Sequence, residues 1–180
     1  MFGEGARGAD VVFVGEQPGD REDIEGHPFV GPAGRLLERA VAAAGLDRDR
    51  IYVTNVVKHF KWEPRGKKRI HQKPNASEIR ACRPWMDAEL SAIRPQAVVC
   101  LGATAAQALL GPSFKVTQHR GEVIPSTLAP LVMGTVHPSS ILRAQDEASR
   151  QTEMERFIDD LRRLRTALEA SGRTSSSPSP

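Results

Sequence analysis

Glu16 and Gln17 set a carboxylate beside an amide in Gly15-Glu16-Gln17-Pro18-Gly19, directly after the apolar run at 11–14. A rigid strand leading into a Gly/Pro-restricted loop is a good way to hold a catalytic carboxylate. Asn55 sits near the end of a second apolar run, 51–57, and offers a donor and an acceptor together, which suits a pyrimidine edge. His137 leaves a third such run, 131–136, and is fixed by Pro138. His71 lies in a strongly basic stretch. The alternative for Glu16 and Gln17 is a solvated pair in an ordinary turn. A Walker A phosphate loop is excluded, because no Gly-Lys-Ser/Thr follows and an acid stands where phosphate would want a base.

The β-branched run 11–14 ahead of these residues is expected to be a strand buried on both faces, and 51–57, 96–101 and 131–136 repeat that character. Helices separate them. Residues 32–44 carry Leu36, Leu37, Ala40, Val41 and Ala44 on one stripe, with Pro32 in the first turn and Gly45 as the stop. Asn75 and Ser77 open a helix carrying Ile79, Cys82, Trp85, Met86, Leu90 and Ile93 that ends before Pro95, and 102–111 is a small-residue helix. Residues 116–124 are expected to be irregular and extended, and 150–170 to be an amphipathic final helix. The expected fold is α/β: one three-layer α/β/α domain over residues 1–170 with a central four-stranded, mainly parallel sheet. In open sheets of this kind ligands bind at the carboxyl ends of the strands. The Ser/Pro-rich residues 171–180 are expected to be a disordered tail.

Composition fits this picture. Of 180 residues, 39% are apolar and 26% charged, enough for one domain with a sizeable core. No run approaches the ~20 apolar residues that span a bilayer, and the first residues lack the apolar stretch of a secretion signal, so the expected location is the cytoplasm, with no membrane partner. Two cysteines make a disulfide framework unexpected there.

The charge is local. Residues 58–73 hold seven cations (Lys58, Lys61, Arg65, Lys67, Lys68, Arg69, Lys73) against Glu63, or +6, which leaves −3 for the remainder of a chain of net +3. Phe60, Trp62 and Ile70 interleave with them, and such a patch can stack bases and bind phosphate. The other reading is a solubilising loop. Phe29, in a loop ahead of the 32–44 helix, is either a staple onto that helix or a platform for a flat ring.

Gly15-Glu16-Gln17-Pro18-Gly19, Pro28-Phe29-Val30-Gly31, Thr54-Asn55-Val56-Val57-Lys58 and His137-Pro138-Ser139-Ser140, in that order, resemble the motif set of the uracil-DNA glycosylase superfamily, family-4 branch. They span most of the chain. Gln17 after the glutamate, and the insertion Gly66-Lys67-Lys68-Arg69-Ile70-His71, are similar to the UdgX subgroup, known for ending in a covalent protein–DNA adduct through this loop's histidine. The resemblance implies a DNA-repair enzyme acting on uracil-containing DNA, single-stranded by preference, as a monomer. It implies that Gly15, Phe29 and Asn55 bind uracil, Phe29 by stacking on the ring and Asn55 by reading the base edge, and that His137 donates to the base oxygen as negative charge develops. Glu16 would stand by the cationic sugar, with Gln17 beside it in the catalytic set. His71 would bond to C1′ of the deoxyribose, with no easy second step. Lys67, Lys68, Arg69, Ser139 and Ser140 would hold the DNA backbone, the first three also ordering the loop.

The resemblance also implies a four-iron, four-sulfur cluster, for which Cys82 and Cys100 match the two downstream ligands. The upstream Cys-x-x-Cys is not in this sequence, which starts ten residues before residue 11. Two thiolates alone do not hold such a cluster, so either the sequence is truncated or mis-started, or the domain lives without it. The two cysteines are otherwise small buried apolar thiols. Three other functions stay open: a turnover glycosylase that leaves an abasic site, a non-catalytic DNA-binding module, and a zinc enzyme built on the histidines and cysteines. No short Cys-x-x-Cys or His-x-x-x-His spacing supports the last.

Overall fold

A computed structural model of the chain describes residues 1–174. Its elements are β1 (Glu4–Gly5), β2 (Val11–Gly15), α1 (Asp20–Glu25), α2 (Pro32–Ala44), β3 (Ile51–Asn55), β4 (Trp62–Arg65), β5 (Lys68–His71), α3 (Ala76–Ile93), β6 (Ala97–Leu101), α4 (Ala103–Leu110), α5 (Val116–His119), β7 (Val123–Ile124), β8 (Leu131–Thr135), α6 (Pro138–Leu142) and α7 (Glu147–Thr174). The main sheet runs β1-β3-β2-β6-β8-β7. Its four inner strands are parallel, in register Val11↔Ile51, Val11↔Ala97 and Ala97↔Leu131. These are the four strands the sequence announces. The sheet is nevertheless six-stranded and mixed, because β1 and β7 add antiparallel at the edges.

Both faces are covered. Val11, Phe13, Ile51, Val53 and Val99 pack against Leu36, Leu37 and Val41 of α2 and Phe157, Leu161 and Leu164 of α7. On the other face Val12, Val14, Val98 and Cys100 meet Met86 and Leu90 of α3 and Ala105 and Ala106 of α4. Burial from both sides explains the uninterrupted apolar strands, and each buried Leu or Phe adds about 2 kcal/mol of transfer energy.

The chain steps from β2 to β3 on one side and then crosses to β6 on the other. The sheet therefore has a topological switch point between the carboxyl ends of β2 and β6, where the strand-end loops part and leave a crevice.

Four features differ from the sequence reading or were not part of it. Residues 116–124 contain one helical turn, α5, and the short edge strand β7 rather than an irregular extended run. The basic stretch is a two-stranded hairpin, β4–β5, with Trp62 opposite His71. Residues 20–25 form a short helix that the polar sequence did not announce. Helix α7 continues through Thr174, into the stretch expected to be disordered; residues 175–180 lie outside the described residues.

Candidate active site

A cavity of about 790 Å³ opens at the switch point, lined among others by Glu16, Gln17, Phe29, Asn55, His71, His137, Ser139 and Ser140. These residues come from five separate segments of the chain. Gly15 packs behind two of them. A Cβ there would lie 2.4 Å from Asn55 Oδ1 and 2.8 Å from Phe29 Cζ, so only glycine lets amide and ring approach this closely.

Phe29 holds φ 58°, a left-handed conformation uncommon for a bulky residue. Two neighbours keep it there. Gly34 of α2 lies so close to the Phe29 backbone that a Cβ would meet its carbonyl oxygen at 1.5 Å. Glu22 of α1 accepts a 2.8 Å hydrogen bond from Gly31 N and thereby caps α2 from outside the helix. The Phe29 ring faces His137 with centroids 6.3 Å apart and planes 26° from parallel. The ring is thus a wall of the cavity as well as a partner of α2.

His137 is the N-cap of α6, and its Nδ1 accepts from Ser139 N at 3.1 Å. That bond leaves the proton of the neutral ring on Nε2. Ser139 Oγ also lies 2.8 Å from Nδ1. Burial, with Arg143 and His71 adding to it against the pull of Glu16, pushes this imidazole down to about 4. Near neutral pH it is an uncharged N–H donor.

Glu16 lies at the carboxyl end of β2, where the backbone is pinned by Val57 N donating to Glu16 O at 3.0 Å. His71 Nε2 stands 3.1 Å from Glu16 Oε1. Burial alone would raise this carboxyl, but hydrogen bonds from His71 and Thr104 and the positive fields of His71 and His137 outweigh it and hold it below the usual range. It is a carboxylate at working pH.

The hairpin carries His71 to this position, and Gln17 holds the hairpin. Gln17 is 7% exposed. Its Nε2 donates to Lys61 O at 3.3 Å and Gln72 O at 3.0 Å, and its Oε1 accepts from Lys61 N at 3.2 Å. An amide is the one side chain that can satisfy two acceptors and a donor at once. Arg69 fastens the other face: its Nε meets Asp20 Oδ1 at 2.5 Å and its Nη1 meets Asp23 Oδ2 at 2.6 Å, while the guanidinium lies 5.3 Å from the Phe60 centroid and 5.5 Å from that of Trp62. Arg69 is therefore committed within the protein. Lys67, at the hairpin turn, and Lys68 are exposed, and neither they nor Arg69 line the cavity.

Cys82 and Cys100 lie on the α3/α4 side of the sheet, away from the cavity. Cys82 Sγ accepts from Lys58 N at 3.3 Å, and Cys100 is fully buried in β6, where burial pushes its thiol up to about 12. Among the described residues no group of three or more His, Cys, Asp and Glu could hold a metal. The residues present do not fit a cluster that needs four thiolates.

Residues 2–162 match the model of the uracil DNA glycosylase superfamily. The chain belongs to that superfamily. It is 34% identical to a type-4 uracil-DNA glycosylase of Thermotoga maritima over 174 residues, covering 96% of this chain and 84% of the relative. It is 44% identical to a type-4 uracil-DNA glycosylase of Archaeoglobus fulgidus over 105 residues, 58% of this chain and 49% of the relative. A third, from Sulfurisphaera tokodaii, is 36% identical over 148 residues, 78% of this chain and 64% of the relative.

Within this superfamily member, sequence reasoning missed Glu22, Lys73, Thr104 and Arg143, all of which line the cavity. Thr104 reaches Glu16 from far along the chain and Glu22 reaches Gly31 across a loop, and no local pattern carries either contact. Lys73 was counted only as one more charge of the basic stretch. No helix among the described residues is long and apolar enough to cross a membrane.

Proposed function

We propose that this chain excises uracil from DNA and captures the exposed sugar covalently through His71, the reaction of the UdgX subgroup. The observation that carries it is the 3.1 Å approach of His71 Nε2 to Glu16 inside the cavity shared by Phe29, Asn55 and His137. The names of the type-4 relatives support uracil as the base.

The uridine leaves the base stack, or is presented on a single strand, and its base enters above Gly15. Phe29 stacks on the ring, and the buried Asn55 amide pairs with its polar edge. The C1′–N1 bond breaks, and its electron pair goes to uracil. His137 Nε2–H donates to the base oxygen, where the charge gathers, and a neutral donor does so without a charge of its own. The ionised Glu16 faces the cationic sugar. His71 then closes on C1′: a ring nitrogen bonds to carbon as the Nε2 proton passes to Glu16. Charge balances, since carboxylate and neutral nucleotide become carboxylic acid, alkylated imidazole and uracil anion. An imidazole bonded to C1′ is a poor leaving group, so the reaction stops after one turnover.

Lys67 and Lys68 contact the DNA backbone, together with Ser139 and Ser140 at the pocket mouth. Arg69 contributes by ordering the hairpin, and Gln17 by anchoring its base. The scheme takes a monomer with one domain, residues 1–170, as its working unit, since one chain can supply every group it uses.

A turnover glycosylase is the second reading, favoured by the type-4 names of the relatives. There Glu16 orients water where His71 now stands. Both readings stand on base release, which is tested by incubating the purified chain with a single-stranded oligonucleotide carrying one uracil and quantifying free base by chromatography. Release from uracil and none from a thymine counterpart is expected. No free base from either strand would leave only a DNA-binding module.

A further inference from the structure

Several cations outside the cavity already have acids. Lys58 pairs with Glu89, Lys61 with Glu78, Arg69 with Asp20 and Asp23, and Arg120 with Asp160 and Glu153. Lys73 and Arg143 differ. Both line the cavity, both are exposed, and neither side chain has a hydrogen-bond or ionic partner among the described residues.

The acids of the cavity do not account for them. Glu16 is engaged by His71, and Glu22 by Gly31 N. Lys73 follows Gln72, whose carbonyl is held by Gln17 at the end of β2. Arg143 is the C-cap of α6, the helix that leaves β8. In the order β2-β6-β8 the two anchoring strands are two spacings apart, or about 10 Å. The two cations are thus carried by segments anchored at strands on either side of β6, the strand that borders the crevice.

We infer that Lys73 and Arg143 form a two-point phosphate clamp that holds the backbone on either side of the extruded nucleotide. This inference rests on the DNA reading above and adds two residues to it. The exposed lysines of the hairpin then contribute a diffuse field, whereas Lys73 and Arg143 set where along the strand the extruded nucleotide sits. Two fixed cations flanking one nucleotide also fit a flexible single strand, whose phosphates can be drawn inward toward both.

The test is the salt dependence of uracil release. The second-order rate constant at limiting protein is measured from low to moderate salt on a single-stranded oligonucleotide with one uracil. Each neutralised phosphate contributes about 0.7 to the slope of log rate against log salt on single strands. Lys73→Ala and Arg143→Ala should each lower the slope by about 0.7, and the double variant by about 1.4. Lys73→Arg should keep the wild-type slope, which separates loss of charge from misfolding. Arg39→Ala, an exposed cation of α2 outside the cavity, should also keep it. If the wild-type chain releases uracil and both alanine variants retain its full slope, the clamp is wrong and the glycosylase reading stands. If the wild-type chain leaves uracil in the DNA, the reading itself fails, and the clamp falls with it.

Discussion

His71 Nε2 lies 3.1 Å from Glu16 Oε1, although 55 positions separate the two residues in the chain. One stands at the end of a core strand and the other on an exposed hairpin, so their contact depends on whatever holds that hairpin down. The fasteners are the Gln17 amide at its base and the pairing of Arg69 with α1.

Arg69→Ala should therefore loosen the hairpin without disturbing the packing of Asn55 and Phe29 on Gly15. Hydrogen exchange across residues 62–71 should speed up. Adduct formation should slow by about tenfold or more, with base release much less affected, because a displacement of about 1 Å can cost 10²-fold in a reaction that needs near-attack geometry. Equal loss in both steps would mean that Arg69 serves DNA binding rather than the position of His71.

Gly15→Ala probes the packing behind Asn55 and Phe29. The added methyl would overlap Asn55 Oδ1 and the Phe29 ring. The amide must move by about 1 Å, so kcat/KM for uracil release should drop by about 10²-fold. The melting temperature should change little, since Asn55 faces the cavity. Near-wild-type kinetics would show that uracil does not sit above Gly15.

The depressed pKa of His137 has a stability signature. The folded value, about 4, lies below the ordinary imidazole value of 6.5. Between these limits the unfolded chain binds a proton that the folded chain refuses, so stability is fully present above pH 6.5 and falls as pH drops toward 4. His137→Asn removes this contribution. Denaturation of both proteins across pH 7 to 4 should show the wild type losing stability relative to the variant within that window. Parallel curves would mean that the imidazole protonates as freely in the fold as in the open chain.

Glu89 tests the support beneath β3. It is 7% exposed and accepts from Gly3 N at 2.6 Å, Tyr52 Oη at 3.1 Å and Thr54 Oγ1 at 2.9 Å, and it pairs with Lys58. Glu89→Ala leaves the Lys58 ammonium buried without its acid, a change that costs about 3–5 kcal/mol. Urea denaturation measures it. A loss under about 1 kcal/mol, as for an exposed pair, would contradict this role.

What the sequence made legible follows from burial. Helix α2 spans 32–44 as expected because its apolar stripe, first-turn Pro32 and terminal Gly45 agree with one another. The four inner strands were legible for the same reason, since each is an apolar run between turn signals. Helix α1 buries none of its residues and carries no apolar period to detect. Strand β4 is exposed throughout, and β1 and β7 are two residues each, so no alternation could announce them. The site was legible as motifs but not as supports. The pairing of Arg69 with Asp20 and Asp23, and the Thr104 bond to Glu16, join residues far apart in sequence and leave no local trace.

Capture of the sugar by His71 separates the covalent reaction from ordinary turnover. The most direct measurement mixes the purified chain with a single-stranded oligonucleotide bearing one uracil, boils the mixture in detergent and resolves it on a denaturing gel, beside the His71→Ser variant and a thymine control. The wild type should give a band at the summed mass with uracil only. The variant should give no such band, and its DNA should be cut by alkali at the uracil position. Wild-type DNA that runs free and is cut by alkali would contradict covalent capture and leave an ordinary glycosylase. A persisting adduct in His71→Ser would place the nucleophile elsewhere.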